Sequence, residues 1–181
     1  MDYIFGIDLG GTTVKLGLFN LEGILLKKWE IKTRTEDNGE KIIPDIAASI
    51  HNKLEEKNIE KSQILGIGMD VPGPVVNDST VIECVNLGWG TKNVSKELGD
   101  LLGIEVKVGN DANVAALGEM WQGGGRGYNS IFMVTLGTGV GGGVVINGNI
   151  MTGSHGTAGE IGHVTVNPNE VIKCNCGGHG C

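Results

Sequence analysis

No run of apolar residues in this chain approaches the roughly 20 needed to cross a bilayer as a helix, which argues against a membrane-spanning protein. No secretory leader is expected, since Met1-Asp2 does not open a cationic-then-apolar segment. Positive charge is in deficit. Fourteen Lys and Arg stand against 21 Asp and Glu, for a formal net charge of -7 and a pI near 5.0. That balance argues against nucleic acid or an anionic membrane surface as a partner, because both are held by basic patches. The expected location is the cytoplasm.

Glycine, by contrast, is abundant: 32 of 181 residues, against about 7% in average proteins. The glycines lie at turns between apolar runs and not in a collagen-like period. One arrangement of them occurs twice. Ile7-Asp8-Leu9-Gly10-Gly11-Thr12-Thr13-Val14-Lys15-Leu16-Gly17-Leu18 is echoed by Val134-Thr135-Leu136-Gly137-Thr138-Gly139-Val140-Gly141-Gly142-Gly143-Val144-Val145. Each copy reads as a strand, a tight Gly/Thr turn and a returning strand. Gly permits close backbone approach to a phosphate and Thr supplies hydroxyl donors, so a pair of such hairpins, one in each of two lobes, can grip a triphosphate. Either copy alone also reads as an ordinary glycine-rich hairpin.

Along the chain, 3–9, 14–20 and 24–32 read as an antiparallel meander of three strands. Ile42, Ile43, Ile46, Ala47, Ile50 and Leu54 recur at helical spacing. A short buried strand over 64–69 then meets Val71-Pro72-Gly73-Pro74, where proline stops pairing and glycine allows a turn. A helix through Val94, Leu98, Leu101 and Leu102, a strand over 105–108 and a helix over about 110–122 follow. This order matches an α/β lobe of ribonuclease H-like type with a mixed five-stranded sheet, placed at 1–122. The glycine run 123–127 reads as a hinge. Residues 123–181 are expected to begin a second, similar lobe that the chain does not complete.

Six ordered motifs carry a resemblance: Asp8-Leu9-Gly10-Gly11-Thr12, Pro72-Gly73-Pro74, Asn86-Leu87-Gly88-Trp89, Asn110-Asp111-Ala112-Asn113, Gly156-Thr157-Ala158-Gly159-Glu160-Ile161-Gly162-His163, and the Cys174–Cys181 knuckle. Over its whole length the sequence resembles the ROK sugar kinases of the actin and hexokinase superfamily, most of all the bacterial glucokinases among them. Complete members of that family continue well past the knuckle. The chain is therefore expected to be a fragment or a truncation.

On residue chemistry alone, Asn110-Asp111 reads first as a helix cap and second as a catalytic pair. The resemblance implies that Asp111 is the general base of phosphoryl transfer to a hexose, most of all glucose, and that Asn86, Asn110, Asp111, Glu160 and His163 bind the sugar. It further implies ATP held by Gly10, Gly11, Thr12 and Thr13 of the first hairpin and by Thr135, Gly137, Thr138 and Gly139 of the second. Asp8, an acid where phosphate would sit, makes sense if it holds Mg2+. Trp89 reads as a core side chain or as a wall of the sugar site.

Cys174, Cys176 and Cys181 bracket a glycine-rich knuckle and His163 precedes them, giving three thiolates and one imidazole. Such a closed set suits structural zinc, an assignment the resemblance shares; two cysteines in a disulfide is the other reading. Cys84 reads as a small core residue. Three functions are weighed: a glucokinase, a kinase for another hexose such as N-acetylmannosamine or fructose, and a sugar-sensing regulator. Repressors of the resembled family carry a DNA-binding segment ahead of the first hairpin, and with Asp8 following Met1 almost immediately a direct DNA-binding regulator is not the expected reading. A homo-oligomer is expected, since an incomplete second lobe would expose surface that favours association.

Overall fold

The computed structural model describes residues 2–137, 139–174 and 177–181. They form two compact units, one running to Asp111 and the other from Ala112 to Cys181.

The first unit is built on strands β1 (Tyr3–Leu9), β2 (Thr13–Asn20) and β3 (Leu25–Lys32), helix α1 (Ile42–Lys57) and strand β4 (Ile64–Val71). Three two-residue strands follow, β5 (Val75–Val76), β6 (Thr80–Val81) and β7 (Lys92–Asn93), then helix α2 (Val94–Leu102) and strand β8 (Val106–Asn110). The main sheet has the order β3-β2-β1-β4-β8. The meander pairs antiparallel, while β1–β4 and β4–β8 are parallel. This is the mixed five-stranded sheet expected from the strand and helix order. The three short strands form a separate small sheet that the sequence does not announce.

Alternation along the strands sets the core. Phe5, Ile7 and Leu9 of β1, Val14, Leu16 and Leu18 of β2, and Met69 and Val71 of β4 are buried on one side, against Ile42, Ile46 and Ile50 of α1 and Leu98 and Leu102 of α2. A strand exposes every second residue, so Asp8 and Asp70 fall on the opposite side of the sheet. Helix α1 has no side-chain cap hydrogen bond; α2 is capped by Asn93, whose Oδ1 accepts the Lys96 amide at 2.8 Å. Asn93→Ala is expected to lower stability by about 1 kcal/mol in chemical denaturation, the usual cost of losing an N-cap.

The second unit contains helix α3, assigned to Asp111–Gln122, and a three-stranded sheet β11-β10-β9, with β9 at Ile131–Leu136, β10 at Val140–Ile146 and β11 at Asn149–Ile150. Its glycines serve packing. A methyl group on Gly143 would collide with the Ala112 carbonyl and with Cβ of Ala116, so α3 lies directly on β10. On the alternate face, Gly142 and Gly159 meet backbone to backbone, which seats the 156–163 segment against the same strand. The boundary between the compact units falls at Asp111–Ala112, at the start of α3, and small residues match that helix to β10.

Candidate functional site

Four segments of the first unit converge at one end of its sheet. Strand β1 ends in the turn Gly10-Gly11-Thr12; the Gly10 amide donates to the Thr13 carbonyl at 3.1 Å. Buried Thr33 holds the turn from behind, its hydroxyl donating to Gly10 O at 2.7 Å and its amide to Thr12 O at 2.9 Å. Gly11 and Thr12 are left exposed. Beside them stands the turn 84–89, where the Cys84 amide donates to Trp89 O at 2.8 Å and the Trp89 amide returns to Cys84 O at 3.0 Å. Asn86, exposed at its apex, has its Cβ 3.9 Å from where a Cβ on Gly11 would lie.

Strands β1, β4 and β8 run parallel, and their carboxyl ends carry the acids. In such sheets ligands bind beyond those ends. Asp8 is paired in register with Lys15 on one side and Asp70 on the other, and Lys15 Nζ lies 3.0 Å from Asp8 Oδ2. That contact raises the Lys15 pKa from its ordinary value. Strand β8 delivers Asn110 opposite Val71 and passes at once into α3 at Asp111. Buried Asn110 uses Nδ2 twice, donating to Asp111 Oδ1 at 3.0 Å and to Gly73 O at 3.3 Å. The Pro72-Gly73-Pro74 turn thus fixes the Asn110 amide, and that amide orients the Asp111 carboxylate.

Asp70 was not among the residues expected to matter. Its Oδ1 is buried without a hydrogen-bond partner. Burial first, then the charges of Asp8 and Asp111, push its pKa up to about 7. Its only sequence signal is position: an acid closing the apolar run 64–69, which becomes a neighbour of Asp8 only once β1 and β4 pair in parallel.

In the second unit, the β9–β10 turn is closed by the Gly137 amide donating to Gly139 O at 2.9 Å, and Thr135 contacts the Gly141 position through Oγ1. Thr138, expected to join this turn in binding phosphate, lies outside the described residues. Glu160 and His163 flank one short turn, with His163 Nε2 3.7 Å from Glu160 Oε2. At the knuckle, the Cys174 amide donates to Gly178 O at 2.9 Å and the Gly177 amide to Cys174 O at 3.0 Å. Cys176 also lies outside the described residues. Among those described, no three His, Cys, Asp or Glu side chains are gathered so as to hold a metal ion. Trp89 is a core side chain, 4% exposed, and Cys84 is likewise buried, its thiol pushed up by burial.

The mixed sheet order, with its glycine turn and acids at the strand ends, is that of the actin/hexokinase-like sugar kinases. The ROK family model matches residues 4–181, and the chain belongs to that family. It is 45% identical over 177 residues to a glucokinase of Halalkalibacterium halodurans, covering 97% of this chain and 54% of that protein. A putative xylose repressor of a Caldicellulosiruptor species is 34% identical over 179 residues, covering 98% of this chain and 45% of the repressor. Among solved structures, a ROK glucokinase from Streptomyces griseus in complex with glucose and AMPPNP superposes with a TM-score of 0.82 at 32% identity, over 99% of this chain and 55% of that one. The chain spans about half the length of the curated relatives it matches.

Proposed function

We propose that the protein of which this chain forms part transfers the terminal phosphoryl group of ATP to a hexose, glucose foremost, with Asp111 as general base. The observation that carries this reading is the placement of Asp111 directly after β8, oriented by Asn110, at the same end of the sheet as the Gly10–Thr12 turn and Asn86. Phosphoryl transfer asks the protein chiefly for positioning and charge stabilisation, with a carboxylate to accept the hydroxyl proton. The sugar hydroxyl gives its proton to the Asp111 carboxylate as its oxygen bonds to phosphorus and the bond to the departing nucleotide breaks. Asn86, Asn110, Glu160 and His163 hold the remaining hydroxyls, so that a hexose lacking one leaves a polar group unpaired.

Gly10, Gly11, Thr12 and Thr13 of the first turn and Thr135, Gly137, Thr138 and Gly139 of the second take the phosphates, in keeping with their small side chains. Asp8 fits Mg2+, which needs only one or two carboxylates beside phosphate and water oxygens, and the orphaned Asp70 Oδ1 supplies a second acid next to it. Bound there, the ion would neutralise charge on the phosphates. Lys15 Nζ is paired with the Asp8 carboxylate on the same side of the sheet.

The deciding experiment is a coupled phosphorylation assay of the full-length protein on a panel of hexoses with ATP. Transfer to glucose above its epimers and N-acetylated relatives supports the reading. Transfer to another hexose moves the substrate, and no transfer to any hexose overturns it. A regulatory reading draws on the xylose-repressor relative, and sugar-dependent DNA binding without transfer would support it.

Structural zinc on His163, Cys174, Cys176 and Cys181 remains a proposal on donor chemistry, three thiolates and an imidazole. Elemental analysis is expected to find one zinc per chain, lost in Cys174→Ser. Chelation is expected to weaken hexose binding, because a His163 ring fixed through one nitrogen presents the other to the sugar. Protein purified in zinc-supplemented medium yet free of zinc would end this proposal.

A further inference from the structure

The turn carrying Asn86 is gripped from outside by a segment for which neither the motifs nor the proposed chemistry has a use. Asp37, Asn38 and Gly39 follow one another with φ of 52°, 56° and 66°, three successive left-handed residues of which two are not glycine. Non-glycine residues in that region are strained, and they persist where the surroundings over-determine them. Here the surroundings are the 84–89 turn. The Trp89 indole Nε1–H donates to the Gly39 carbonyl at 3.2 Å, in a contact buried from solvent. A methyl group on Gly39 would stand 2.5 Å from Leu87 O and 2.8 Å from Trp89 Nε1, and one on Gly88, at φ 73°, 3.0 Å from the Asn38 Cα. Each turn is thus closed against the other at a glycine.

Within the gripped turn, the amides of Leu87 and Gly88 donate to Cys84 O and Val85 O, both at 3.1 Å. Asn86 therefore rides on a closed loop held on one side by the 37–39 turn and neighboured on the other by Gly11. We propose that the Asp37–Gly39 turn and Trp89 are positioning elements that set the Asn86 carboxamide for a sugar hydroxyl, and so govern hexose affinity without touching the hexose. The inference rests on the reading of Asn86 as a sugar ligand. Trp89 acts through Gly39 and Leu87 and is a positioning residue.

The test uses Trp89→Phe, which keeps an aromatic ring in the core and removes the indole donor, and Asn86→Ala, alone and combined, in the full-length protein. Hexose KM, ATP KM, kcat and Tm are read for each. Trp89→Phe is expected to raise hexose KM roughly three- to tenfold, the worth of one lost hydrogen bond, with ATP KM and kcat nearly unchanged. In the Asn86→Ala background the same change should have no further effect on hexose KM, since coupled residues are not additive. A lower Tm with hexose KM unmoved would make the grip merely structural and overturn the proposal while leaving Asn86 in its role. Asn86→Ala without effect on hexose KM would instead remove Asn86 from the sugar site, and the positioning role with it. Additive effects in the double variant also overturn it.

Discussion

Asp111→Asn is expected to reduce hexose phosphorylation by roughly 10²- to 10⁴-fold, the range that a positioned base contributes, while hexose binding largely survives. The substitution is nearly isosteric. Its amide oxygen can still accept from Asn110 Nδ2, which lies 3.0 Å from the present carboxylate oxygen, so the local fold at the β8–α3 junction should hold. What the amide cannot do is take the proton of the attacking hydroxyl. The measurement is kcat from the coupled assay beside a calorimetric Kd for glucose, both on the full-length protein. A capping role alone would leave both Tm and turnover near normal, because asparagine is as good a cap as aspartate. Equal kcat in the two proteins would withdraw the base.

Some of this site is plain in the sequence and some exists only after folding. The meander and α1 are legible because alternation and helical spacing are long-range patterns carried by many residues, and Asp111 is legible because a strand-to-helix junction concentrates polar residues. Strand ends are less so. The sequence stops the fourth strand at Met69 and the next at Val108, whereas pairing continues to Val71 and Asn110. The continuation is held by backbone pairing across the sheet, by burial of Val71 and by the Asn110 contact with the Gly73 carbonyl, none of which a short apolar run announces. The strands β5, β6 and β7 have two residues each, too few for any period to show. The attachment of α3 to β10 depends on alanines meeting glycines more than twenty positions away, a complementarity that no single segment displays. Asp70 belongs to the same class. Nothing in Gly68-Met69-Asp70-Val71 marks it, and its meaning comes from the register that sets it beside Asp8.

That register has a thermodynamic consequence, for which Asp70→Asn is the test. With its pKa pushed up to about 7 in the folded chain, the Asp70 carboxyl keeps its proton at pH values where the unfolded chain, with an ordinary carboxylate near 4, has already lost its own. Between those two values the native state binds the extra proton, so stability falls as pH rises, and above about 7 the loss is complete. The displaced pKa corresponds to about 4 kcal/mol at most, a ceiling because chain relaxation and solvent both soften the burial. Asparagine has nothing to ionise. The variant is therefore expected to melt higher than the parent at pH 8 in the absence of divalent metal, with the advantage shrinking steadily as pH is lowered toward 4. Added Mg2+ should narrow the gap at pH 8, because a cation beside Asp8 favours the Asp70 carboxylate and the variant offers it no charge. A Tm difference that stays constant across this range, or a variant that melts below the parent at pH 8, would mean that Asp70 is ionised at no cost in the fold, and that something other than these neighbouring acids sets the charge at this end of the sheet.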